Sequence, residues 1–300
     1  MFGAVELNKE LISQLMVLFL VTQLIGLMVG IELIREKEAG LIEQPTIITD
    51  NPEDPINSLG LIVYILVFTG ILLLIIKFLN RFVGILFKLL EAIVIFGTSQ
   101  IVLYSVLALT LPSEFKLPLM GLEILFIAIL LVIIRLVYRK NILFRNITSV
   151  IATAGAGALI GITLGLLPVV LFVIALAIYD LIAVFKTKHM VTLAKAITSK
   201  NLSFTFALPT KEHTFEVGTG DMVIPLVFTV SVMDFTSRTL SFPQNLFAPM
   251  LVLTGSLVGL LLTMDYSSRN VGKALPALPP QTVIMILMLG LSALLGFLPF

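Results

Sequence analysis

Apolar residues in this chain gather into nine long runs, divided by polar stretches that hold most of the charge: residues 11–33, 59–79, 84–111, 119–138, 147–165, 167–186, 221–236, 244–264 and 276–298. A helix rises about 1.5 Å per residue and the hydrocarbon of a bilayer is about 30 Å thick, so these runs have the length of membrane spans. None alternates with the two-residue period of a membrane barrel. Lipid offers no partner to a free backbone N–H or C=O, so every spanning segment is expected to be helical. The first run is long enough to span and has no clear small-residue cleavage site, so it reads as a membrane helix and not as a cleaved leader.

The basic residues orient these spans. Lys9; Lys77, Arg81 and Lys88; Arg135, Arg139, Lys140 and Arg145; Lys186, Lys188, Lys195, Lys200 and Lys211; and Arg269 and Lys273 fall on one side, fifteen in all, whereas Arg35, Lys37, Lys116 and Arg238 fall on the other. The positive-inside rule puts the N-terminus in the cytoplasm and, after nine spans, the C-terminus outside. Residues 34–58 then form an acidic outside loop and 187–220 a polar cytoplasmic one. Within the latter, the alternation Leu202-Ser203-Phe204-Thr205-Phe206 reads equally as a short strand or an irregular loop. The whole chain, 1–300, is expected to be a single all-α membrane domain, with the first six spans and the cytoplasmic loop in 1–200 and the last three spans in 201–300.

Composition narrows the function. Of 300 residues, 58% are hydrophobic and 12% charged, against about 45–50% and about 25% in a soluble domain, and mean hydropathy is +1.12. That excludes a soluble enzyme and a disordered chain, and the net charge of +1 gives no field for nucleic acid. There is no cysteine, hence no disulfide, thiolate metal site or cysteine nucleophile. His189 and His213 both lie in the 187–220 loop and no HExxH occurs, so no metal site and no cofactor is expected.

Small residues recur at four-residue spacing, Gly157, Gly161 and Gly165 in span 5 and Gly255 and Gly259 in span 8, the pattern of closely packed helices. Ionisable residues inside spans are costly and so are candidates for chemistry. Glu32, Asp234 and Asp265 lie near span ends and are expected to reach the interface. Glu91 and Glu123 are expected to be structurally paired or at span boundaries. Asp180 is different: it stands about two turns inside the cytoplasmic end of span 6. Asp221 opens span 7, directly after Gly218-Thr219-Gly220. Spans 6 and 7 run antiparallel, so both carboxyls fall toward the cytoplasmic face, where neighbouring helices can bring them together.

Tyr179-Asp180 on the sixth span, Gly218-Thr219-Gly220-Asp221 at the seventh and Pro276-Ala277-Leu278 opening the ninth resemble, in order and spacing, the motifs of the presenilin and signal-peptide-peptidase superfamily of GxGD intramembrane aspartyl proteases. The resemblance covers the whole nine-span plan, and the N-in, C-out orientation resembles the presenilin branch. It implies an aspartic endopeptidase that cuts peptide bonds within transmembrane segments of membrane-protein substrates, with Asp180 and Asp221 as the catalytic pair and Tyr179, Gly218, Thr219, Gly220, Pro276, Ala277 and Leu278 shaping the site. Thr219 stands where presenilins often carry Leu, which bears on substrate preference. The long loop in which eukaryotic presenilins are cut on maturation is largely missing, which favours a compact prokaryotic or archaeal-type member in the cell membrane. Such a chain acts on helical substrates in the lipid bilayer, requires no partner subunits and leaves a homo-oligomer open.

Amide hydrolysis suits these residue types. Two neighbouring carboxyls share one proton: the charged one takes a proton from water, the protonated one polarises the scissile carbonyl. Gly218 and Gly220 are expected to give close backbone approach and unusual dihedrals beside the acid. Pro276, Pro279 and Pro280 are expected to keep the start of span 9 partly unwound. Exposed backbone in 201–217 or near Pro276 can receive an unwound substrate by strand addition, as the resemblance implies. The alternative from the residues alone is an ion-coupled transporter or cation channel, which also uses intramembrane aspartates and glycine-broken helices.

Overall fold

The structure, a computed structural model, describes residues 9–78, 80–111, 121–186, 205–209, 214–269 and 276–298. Among these are nine α-helices: α1 (Lys9–Glu38), α2 (Pro55–Phe78), α3 (Asn80–Thr110), α4 (Leu122–Val137), α5 (Ile142–Thr163), α6 (Leu166–Leu181), α7 (Gly220–Ser237), α8 (Phe247–Arg269) and α9 (Leu278–Leu294). Seven are long and apolar enough to cross a membrane, α6 counted with the helical turn that continues it to Lys186; α4, with 16 residues, and α9, with 17, are shorter. The chain is an all-α integral membrane protein, with one small hairpin among the described residues. His189, His213, Lys116, Lys188, Lys195, Lys200, Lys211 and Lys273 lie outside the described residues.

Helix ends depart from the hydropathy limits where polar residues find partners. Helix α1 continues through residues 34–38, which the sequence had put in a loop. The reason is that Glu36 accepts from the Tyr104 hydroxyl and Lys37 donates to Asp234, so neither charge has to leave the helix. Gly40, at φ 68°, ends it, with Leu41 N–H on Glu36 O at 2.9 Å. Helix α5 starts at Ile142 because Asn141 caps it, its side chain accepting from Leu143 and Phe144 N–H.

Helices α1, α5 and α7 pack together at the centre. A Cβ on Gly157 would come within 2.6 Å of the Leu226 side chain, and one on Gly161 within 2.7 Å of Val230, so these two glycines bring α5 against α7. Gly165 is not part of this face: it caps α6, where a Cβ would meet Glu53. Gly255 and Gly259 seat α8 on α9, against Met288 and Gln281.

The buried charges are paired at the two ends of the bundle. Asp234, expected at the interface, is only 1% exposed; Lys37 and Arg238 both hold it, and Arg238 reaches on to Glu53 at 2.9 Å. At the opposite end Glu91 is buried between Arg135, at 2.6 Å, and Arg139, at 3.3 Å. Glu32 is buried too, 3.6 Å from Arg35. Glu123 is exposed in the first turn of α4.

Between α6 and α7 the described residues include two antiparallel strands, β1 (Thr205–Pro209) and β2 (Thr214–Gly218), with Thr205 opposite Gly218 and Pro209 opposite Thr214. Of the 202–206 alternation, which reads equally as strand or loop, Thr205 and Phe206 fall in β1, and 201–204 lie outside the described residues. Phe206, Leu208 and Val217 bury one face of the hairpin in the core shared with Leu11, Leu15 and Met222. Burial of that face is why a polar loop becomes sheet here.

Candidate active site

Asp180 is the penultimate residue of α6, 9% exposed, and the helix widens into a π-helical turn, Ile182–Lys186, just beyond it. π-turns collect at functional sites; no sequence pattern announced this one. Strand β2 ends at Gly218 and α7 begins two residues later, so Asp221 sits in the first turn of α7. Helices α6 and α7 pack against each other, with Asp180 and Asp221 near the ends where the two helices meet the first turn of α9.

The start of α9 touches both acids. The main-chain N–H of Leu278 donates to Asp180 Oδ2 at 3.4 Å. Gln281 Nε2 donates to the main-chain carbonyl of Asp221 at 3.3 Å. The structure therefore brings Asp180, Gly218, Asp221 and Leu278 into one site, with Pro276 buried beside them and Ala277 at the N-cap of α9. Gln281 was missed by sequence reasoning; the signal was a lone amide, wholly buried, one turn into an otherwise apolar span.

Two expectations are corrected. Neither Gly218 nor Gly220 has a positive φ; among the described residues the left-handed glycines are Gly40 and Gly296. A Cβ at Gly218 would stand in ordinary contact with Asp221 Oδ2, at 3.5 Å, and at Gly220 it would meet open space, so both glycines lie beside the acid with free space around them. Pro279 and Pro280 do not hold the segment unwound: they stand in the first turn of α9, where a helix needs no N–H. Only Pro276 lies ahead of the helix. Tyr179 faces α2, where it lines a lateral cavity with Ile62 and Leu66.

Thr219 caps α7, its carbonyl accepting from Val223 N–H at 2.9 Å. It also lines a cavity of about 170 Å³ between α3, α5 and α7, shared with Glu91, Thr148, Thr153 and Val223. Among the described residues no three His, Cys, Asp or Glu side chains gather where a metal ion could be held.

The hairpin leads into this site along β2. The outer edge of β1 is taken by helix side chains: Arg145 on Thr205, Asn146 on Ala207 and Gln14 on Pro209. The sheet has two strands among the described residues, so β2 is its other edge, and it runs straight into Gly218-Thr219-Gly220-Asp221.

The chain matches the profile of the family described as "Signal-peptide peptidase, presenilin aspartyl protease" over residues 16–216. The chain belongs to that family. It is a membrane-embedded aspartic endopeptidase, and the transporter or channel alternative finds no support in these matches. Asp180 lies inside the matched stretch and Asp221 just beyond its end. A presenilin family intramembrane aspartate protease solved in a P2 crystal form is 25% identical, with a TM-score of 0.62, covering 98% of this chain and 100% of that one. The same kind of protein in a C222 form is 24% identical, with a TM-score of 0.61, covering 93% and 95%. No curated protein sequence matches the chain.

Proposed function

We propose that Asp180 and Asp221 form the catalytic pair of this protease and that its substrates are membrane proteins cut within their transmembrane helices. The observation that carries this reading is the meeting of α6, α7 and the first turn of α9 around two carboxyls, with Leu278 N–H on Asp180 and Gln281 on Asp221. One proton shared by the pair leaves one carboxylate to take a proton from water while the other acid donates to the scissile carbonyl oxygen. The water oxygen bonds to the carbonyl carbon, the C–N bond breaks, and the leaving nitrogen takes up the proton. Tyr179, Gly218, Thr219, Gly220, Pro276, Ala277 and Leu278 shape this site: Gly218 and Gly220 leave space for a backbone beside Asp221, and Tyr179 walls the α2 side next to Asp180.

A helical substrate shields its peptide bonds, so it must be extended before hydrolysis. Strand β2 suits that task. Asn146 bonds the backbone of Ala207 on the outer side of β1, so Phe206 and Leu208 exchange the inter-strand bonds with Val217 and Phe215. Alternation then turns the N–H and C=O groups of Thr214, Glu216 and Gly218 outward on β2. A substrate strand added there is delivered along Gly218 to Asp221.

The full topology belongs to the same reading: nine spans with α4 and α9 included, the N-terminus cytoplasmic, the C-terminus outside, and activity without partner subunits. The paired arginines around Glu91 then mark the cytoplasmic end, and Lys37 and Arg238 on Asp234 the outer one. The decisive experiment is cleavage of a reporter transmembrane helix by the purified chain in liposomes. Asp180→Asn and Asp221→Asn should each abolish it while expression and thermal stability hold; cleavage retained in either variant rejects the pair.

A further inference from the structure

We infer that Asn146 is a positioning residue that determines where the substrate is cut, its side-chain amide standing in for a third strand of the hairpin sheet. The inference rests on the edge-pairing reading above and concerns a residue outside every motif of the site.

Asn146 Oδ1 accepts from Ala207 N–H at 2.9 Å, and Asn146 Nδ2 donates to Ala207 O at 2.8 Å. This is the pair of bonds that one residue of a neighbouring antiparallel strand would make. The flanking outward groups are met in the same way. Arg145 Nε donates to Thr205 O at 3.2 Å and Gln14 Nε2 to Pro209 O at 3.0 Å. Arg145 Nη2 also donates to the Thr205 hydroxyl and to Glu216 Oε1 at 3.0 Å, so one guanidinium spans both strands. Every second residue of β1 is thus fastened to α5 or α1.

An isolated two-stranded hairpin is marginal in stability, and this one joins α7 through Gly218-Thr219-Gly220, a junction with little side-chain bulk to resist bending. The apolar face alone leaves the hairpin free to tilt, because Phe206, Leu208 and Val217 remain buried through small rocking motions. The directional bonds at Ala207 are what oppose the tilt, since a hydrogen bond weakens steeply as its angle opens. They hold the outer edge of β2 at one distance and angle from Asp221. A substrate strand paired to a fixed edge presents one peptide bond to the acids. On a rocking edge it pairs in more than one register, and registers that keep the same side chains inward differ by two residues.

The test uses the full-length chain in liposomes, with a reporter transmembrane peptide whose products are mapped by mass spectrometry. Asn146→Ala should add cut bonds two residues from the wild-type ones and raise KM several-fold, with kcat within about twofold, the loss of two modest hydrogen bonds being felt in binding. Asn146→Asp, which keeps the acceptor for Ala207 N–H, should fall between, and carries the comparison if Asn146→Ala does not fold. An unchanged pattern of cut bonds and an unchanged KM in Asn146→Ala, or a loss of kcat alone at the same bonds, would overturn the inference. Cleavage surviving in Asp221→Asn would instead overturn the catalytic reading on which it rests.

Discussion

The main-chain N–H of Leu278 reaches Asp180 Oδ2 across 98 residues of sequence, at 3.4 Å. Gln281, one turn further along α9, holds the carbonyl of Asp221. The first turn of α9 therefore senses both acids, and a displacement of that turn acts on both at once.

Gly259 on α8 is the place to displace it. A Cβ there would stand 2.6 Å from Gln281 Cα and 3.0 Å from Gln281 N, both backbone atoms that cannot rotate away. Gly259→Ala should lower reporter cleavage at least tenfold and reduce thermal stability by about 1–3 kcal/mol, the range for overpacking. Gly290→Ala, on α9 with nothing within 4 Å of the added carbon, should leave cleavage unchanged and hold or raise the melting temperature. Equal behaviour of the two variants would contradict the packing assigned to Gly259.

Gln281→Leu tests the bond to Asp221 by itself. The side chain is fully buried and its Oε1 has no hydrogen-bond partner among the described residues, so an apolar residue of similar size relieves one unmet polar atom while removing the donor. Thermal stability should stay within a few degrees of wild type, and kcat should fall about tenfold, roughly one hydrogen bond's worth. Wild-type kcat in this variant would mean that Gln281 only fills space.

The ion cluster at the other end of α7 should affect stability without touching the cut. Asp234 is 1% exposed and is held by Lys37 and Arg238. Asp234→Ala strands Lys37, partly buried, without its counter-ion, at a cost of about 3 kcal/mol. The melting temperature in detergent should drop clearly while the bonds cut in the reporter stay the same; altered cut sites would link this end of α7 to substrate choice.

A dyad that needs one proton works between two ionisation steps. The rate of reporter cleavage against pH should therefore be bell-shaped, with both limbs belonging to the pair. The profile should keep its shape in Asn146→Ala, which leaves the acids untouched. A rate that rises and then levels off with increasing pH would be inconsistent with a shared proton.

Much of this was legible along the chain. Hydropathy located the nine helices seen among the described residues, seven of them long and apolar enough to span, because lipid compels each span to satisfy its own backbone, so span length and polarity are local properties of the sequence. Asp180 and Asp221 stood out for the same reason: a carboxyl within an apolar run is expensive wherever the run is placed. The Gly157 and Gly161 spacing predicted a close helix contact, although it could not name α7 as the neighbour.

What local pattern could not reveal are the pairings between distant residues. Asp234 looked like an interface acid until Lys37 arrived from α1, and residues 34–38 looked like loop until Tyr104 and Asp234 gave Glu36 and Lys37 partners inside the bundle. The hairpin at 205–218 became sheet because the core took Phe206, Leu208 and Val217, and because Arg145, Asn146 and Gln14 closed one edge of it. By itself the sequence determined that the chain is built of apolar membrane helices and that Asp180 and Asp221 stand in or at the edge of them, since burial in lipid is settled residue by residue. Tertiary structure alone decided which neutral groups, the amides of Asn146 and Gln281 and the N–H of Leu278, meet the strand and the acids, since a hydrogen bond requires two partners and only the folded chain brings them together.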